Sequence, residues 1–133
     1  MGWASERKAI EARMSANWAT TPIKYENAPL QELTAAHIGL FIRPGDRAQV
    51  TLGSNPTIRS ISIIIVQIFV PQESGLVLAR TYADTIAAIF DRVQFMTDDN
   101  DLISCQTASI DVVGESGGMY QVNLTVPYSR NEH

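Results

Sequence analysis

One run constrains the chain more than any other. Residues 57 to 70 read Thr-Ile-Arg-Ser-Ile-Ser-Ile-Ile-Ile-Val-Gln-Ile-Phe-Val, with Pro56 before and Pro71 after and neither Gly nor Pro inside. β-branched side chains dominate it, and they lose little freedom when held extended. A buried helix could also absorb such a run, but the proline brackets and the Ile/Val content favour a strand. Arg59, Ile61, Ile63, Ile65, Gln67 and Phe69 share one face; Ile58, Ser60, Ser62, Ile64, Val66, Ile68 and Val70 share the other. The first half is apolar on one face only, which predicts a solvated or partner-facing serine side. The second half is apolar on both faces except at Gln67, which predicts cover on both sides.

Around this strand the chain has room for one domain, residues 1–133. For 14.6 kDa, size scaling gives a folded surface of roughly 7,000 Å² against roughly 21,000 Å² unfolded. That is enough burial for a core without disulfides or metals. A net charge of −4 argues against non-specific nucleic-acid binding, which needs clustered Lys and Arg to displace counterions. The single cysteine, Cys105, cannot form an internal disulfide and fits a reducing compartment. No signal peptide is apparent and no apolar run reaches the ~20 residues of a membrane helix.

Read in order, residues 5–17 form an amphipathic helical pattern. Ser5 is its N-cap, Ile10, Met14 and Trp18 line the buried stripe, and Glu6, Arg7, Lys8, Glu11 and Arg13 lie on the wet side. Ile23–Glu26 reads as a short strand and 27–36 as a loop or short turn. His37–Arg43 reads as a strand stopped by the turn signal Pro44-Gly45-Asp46, and 47–52 as a second, polar-faced strand. Ser74 can cap a helix running from about Leu76 to Phe95, with its stripe at Ala79, Tyr82, Ala83, Ile86, Ile89, Phe90 and Val93. Strand content rises towards Ile110–Val113, and 114–118 reads as a loop. Met119–Tyr128 alternates, with Tyr120, Val122, Leu124, Val126 and Tyr128 on one face, and 129–133 reads as a frayed tail. The order α, several β, α, β, β predicts an α+β domain. Its mostly antiparallel or mixed sheet carries both helices on one face.

The residues offer little catalytic chemistry. Asp98, Asp99 and Asp101 could gather around a cation, but the calcium-loop spacing is absent and a helix-terminating turn explains them. Cys105 and His37 or His133 would make a nucleophile and base only if folding joined them, and Cys105 lacks every flanking signature of a cysteine enzyme. The glycine-containing segments match neither a P-loop nor a dinucleotide fingerprint. Neither catalytic residues nor metal ligands nor a cofactor site are expected. Arg43, Asp46, Arg47 and Arg59 concentrate charge around two turns, either as solvated strand ends or as contacts to a partner.

Ile10-Glu11-Ala12-Arg13-Met14, then Thr21-Pro22-Ile23-Lys24-Tyr25-Glu26-Asn27, resembles the opening of the lambda-type tail terminator-like proteins of long-tailed bacteriophages. Ile65-Val66-Gln67-Ile68-Phe69-Val70-Pro71 resembles their middle, as do Gly75 and the helix around Tyr82-Ala83-Asp84. The resemblance implies a non-enzymatic virion protein of a phage or prophage. It implies assembly in the host bacterial cytoplasm into a ring, usually a hexamer, on the end of the tail tube. That ring stops tube growth and presents the surface that joins the head connector. The implied partners are copies of itself, the tube protein and a connector or head-completion protein, with no membrane and no sequence-specific nucleic acid. Another neck or tail-completion component is the neighbouring alternative, and a ligand-binding or enzymatic α+β domain a more distant one. For a ring or tube contact the 43–59 region, with Arg43, Asp46, Arg47 and Arg59, is the candidate.

Overall fold

The computed structural model describes residues 3–18, 21, 23–25, 36–49, 58–71, 75–97, 100–116 and 119–132. The expected loop at 27–35, the polar strand end and turn at 50–56, the Ser74 cap, and Asp98 and Asp99 lie outside the described residues. Among the described residues two helices, α1 (Trp3–Asn17) and α2 (Gly75–Phe90), pack on a seven-stranded sheet. The strands are β1 (Ile23–Tyr25), β2 (His37–Gln49), β3 (Ile58–Pro71), β4 (Gln94–Met96), β5 (Leu102–Cys105), β6 (Ser109–Ser116) and β7 (Met119–Glu132). β1 runs parallel to β2 and every other pairing is antiparallel, so the sheet is mixed and the fold is α+β.

β3 and β7 form the spine, paired from Ile58↔Glu132 to Pro71↔Met119. β2 flanks β3. The other edge of β7 is divided: β6 pairs with its first half, β5 with its last residues, and β4 lies outside β5. Ile64, Val66, Ile68 and Val70 of β3, together with Val122, Leu124, Val126 and Tyr128 of β7, are buried beneath the helices. α1 contributes Ile10, Met14 and Trp18, and α2 contributes Ala79, Ala83, Ile86, Ile89 and Phe90. The two helices run antiparallel. Trp18 meets Tyr82 edge-on at 5.3 Å, and Arg13 Nε donates to the Ile89 carbonyl at 2.7 Å, satisfying an orphan acceptor at the end of α2.

Several boundaries differ from the sequence expectation. Pro44-Gly45-Asp46 is a bulge inside one continuous β2, with the register shifting between Pro44 and Arg47. Among the described residues β2 is an edge strand here, because β1 pairs only with residues 38–40, and edge strands and bulges are where a sheet tolerates proline. Gly45 lets the backbones close in: a Cβ there would collide with the Ile61 carbonyl oxygen. α2 stops at Phe90 and not at Phe95. Arg92 adopts a left-handed φ of 54°, and Asp91 Oδ1 accepts from the Ala108 amide at 2.7 Å, which turns the chain into β4. Residues 114–116 extend β6 past a second bulge at Gly114, where φ is 101°. The 129–132 segment is strand, not a frayed tail.

Candidate interface

The parity of β3 determines the character of the sheet's two faces. The apolar run Ile64 to Val70 commits its even-numbered positions to the helix side, and a strand cannot change face without a bulge. Ser60 and Ser62 therefore stay on the helix side and are buried, while Ile61 and Ile63 point outward, 52% and 36% exposed. This reverses the expectation that the serine side would be the solvated one. The second half of β3 is fully buried on the helix side only: Ile65, Gln67 and Phe69 on the open side are half-buried, and among the described residues neither helix lies over them.

Beneath α1, Ser62 meets a polar cluster of which the sequence reading placed Glu6 on the wet side of the helix and Arg130 in a frayed tail. Arg130 is 1% exposed and Glu6 3%, and their side chains face each other with Nε and Oε1 3.5 Å apart, close enough for charge attraction. The Tyr128 hydroxyl lies between Glu6 and Ser62, near enough to each to alter its proton affinity, yet outside ideal hydrogen-bond geometry. Burial pushes the Glu6 carboxyl above its ordinary value, against the opposing pull of Tyr128 and Arg130. Burial, reinforced by the Glu6 charge, also pushes the Tyr128 phenol up. Asp101, buried at the start of β5, adds a second negative charge near Glu6. One sequence signal for this cluster existed: Arg130 continues the buried alternation of Val122 to Tyr128, as Ser60 and Ser62 continue that of Ile64 to Val70.

The four predicted contact residues divide between faces. Arg43 lies across from Ile63 and Arg59 across from Asn131, so both flank Ile61 and Ile63 on the open side. Both are exposed, and Arg59 Nε donates to Asn131 Oδ1 at 3.0 Å. The bulge changes the parity of β2, so the exposed Arg47 lies across from Ser60, on the helix side. Asp46 sits in the bulge, and its side chain lies outside the described residues. Next to Arg43 a shallow groove of about 350 Å³ is lined by Phe41, Pro44, Ile65 and Gln67.

His37 and Cys105 are not brought together. His37 stacks on Phe69 at 4.8 Å on the open face, whereas Cys105 lies across from Tyr128 on the buried face. Burial pushes the Cys105 thiol up to about 11. Among the described residues no three His, Cys, Asp or Glu side chains are grouped to hold a metal, and no helix is long and apolar enough to cross a membrane.

The molecule is an α+β fold whose sheet turns the exposed Ile61 and Ile63, flanked by Arg43 and Arg59, outward. The chain belongs to the phage tail terminator protein family, whose model matches residues 7–128. That is a phage tail structural family, with tail-related partners and a place in the virion tail. The chain matches no curated protein sequence. One solved structure superposes with a TM-score of 0.77 at 17% identity, covering 100% of this chain and 98% of its own. At that identity the likeness concerns the fold alone.

Proposed function

We propose that the chain, acting as one domain over residues 1–133, ends phage tail-tube growth without catalysing a reaction. Copies close into a ring, with six the expected number, that sits on the tube end and offers its other side to the head connector. The protein assembles in the cytoplasm of the host and takes its place at the neck end of the virion tail. Family membership supports the tail role. The observation that carries the contact argument is the outward display of Ile61 and Ile63, while the adjacent Ser60 and Ser62 are buried. Exposed apolar surface flanked by charge marks a binding face, and a ring requires each copy to present two different, mutually complementary surfaces. Arg43, Asp46, Arg47 and Arg59 belong to that contact region.

Light scattering with negative-stain microscopy tests this. Closed rings at a multiple of the 14.6 kDa chain mass are expected, with assembly weakened in the Arg47→Glu/Arg59→Glu double variant. Unchanged rings and unchanged tail binding in that variant would remove the 43–59 region from the contact.

A further inference from the structure

At the opposite end of the sheet from Ile61 and Ile63, a second surface combines exposed apolar side chains with a net acidic charge: among the described residues, Asp84, Asp111 and Glu115 against the single cation Arg80. β6 pairs only with β7 among the described residues, so its outer edge presents unpaired backbone groups. Ile110, Val112 and Val113 on it are exposed, and its charged residues, Asp111 and Glu115, are both acidic and exposed. The bulge at Gly114 and the charges of Asp111 and Glu115 guard this edge against indiscriminate strand pairing, while its three branched apolar side chains remain exposed. Beside it a groove of about 260 Å³ opens between β6 and α2, with Ala83, Ala87, Ile110 and Leu124 on its walls and Arg80 and Asp84 at its rim. The distal part of the β2–β3 hairpin has the converse character. There Ile61 and Ile63 are exposed between Arg43 and Arg59.

The two surfaces cannot meet within one molecule. Ile61 is level with Ser129 of β7 and Val112 with Val122, and at a strand rise of ~3.3 Å per residue the separation along β7 is roughly 23 Å. We infer that the basic end of the β2–β3 hairpin of one copy docks on the acidic β6–α2 corner of the next. Charge complementarity selects this pairing, because β6 against β6 would bring acidic edges together, and like charges across a strand pair are unfavourable. A contact between two different surfaces is head-to-tail, the kind that propagates around a ring. This inference rests on the ring reading and names the two faces that close it.

Complementary charge reversal tests it. Arg43→Glu/Arg59→Glu alone and Asp111→Lys/Glu115→Lys alone should each sediment as monomers, with melting curves like the wild type. Mixed in equal amounts, they should reassemble, because every junction in an alternating ring again joins opposite charges. Assembly of either variant alone at the wild-type level, or failure of the mixture to assemble while the wild type does, overturns the contact and leaves the ring reading intact. A wild-type chain that remains monomeric at every concentration overturns both.

Discussion

Glu6 and Arg130 are where this fold is most exposed to single substitutions. A buried ion pair is a weak source of stability while intact, but removing one member strands the other charge out of water. Arg130→Met should therefore cost about 3–5 kcal/mol in chemical unfolding, and adding Glu6→Gln should recover part of the loss. Equal stability of Arg130→Met and wild type would mean the pair is hydrated. The pH response follows from the raised Glu6 carboxyl. A folded pKa above the unfolded one means the folded chain binds the proton more tightly, so the contribution favours folding at low pH. It is lost as pH rises from the ordinary 4.5 through the raised folded value. Relative to Glu6→Gln, the wild-type unfolding midpoint should fall across that window; a relative rise would contradict the assignment. Cys105, with its thiol at about 11, should resist thiol reagents at neutral pH until the chain unfolds. Rapid labelling of the native protein would show that its site opens.

At the scale of elements, the bulges do most of the unexpected work. Gly45→Ala places a methyl against the Ile61 carbonyl, backbone that cannot swing aside. A cost of about 1–3 kcal/mol is expected from the forced shift. Gly114→Ala meets no atom within 4 Å but keeps a φ of 101°, so its cost is conformational, of order 1–2 kcal/mol. Thermal melts of the two variants check both; a neutral Gly45→Ala would mean that the β2 and β3 backbones do not approach this closely. These positions also show why the sequence was legible in some places and not in others. The stripes Ile10/Met14/Trp18 and Ala79/Ala83/Ile86 and the alternation of β7 were readable, because burial imposes a period on residue type. Pro44-Gly45-Asp46 carries the same residue types whether the chain reverses or only bulges. The choice depends on a partner strand that continues on the far side, which is a long-range fact. The end of α2 escaped for a similar reason. Val93 and Phe95 keep an apolar rhythm beyond Phe90, but Asp91 is tied to Ala108 and Arg92 turns left-handed.

For the whole molecule, the sheet is best understood as one covered face and one offered face. The sequence located Arg43, Arg47 and Arg59 near one another along the chain but could not show that a bulge sends Arg47 to the other side. That Ile61 and Ile63 face out was legible only through the parity of the neighbouring run Ile64 to Val70, which the local pattern of Ile58 to Ile63 does not reveal by itself. The buried cluster of Glu6, Tyr128 and Arg130 holds α1 over the distal half of β3 and β7. In doing so it fixes which side of that half is left for partners. The most direct test of the tail-ending role is the length distribution of tail tubes grown from tube protein with and without this chain. Tubes should stop lengthening and carry one extra ring of density at a single end. Tubes that grow to the same length with bare ends in its presence would contradict it.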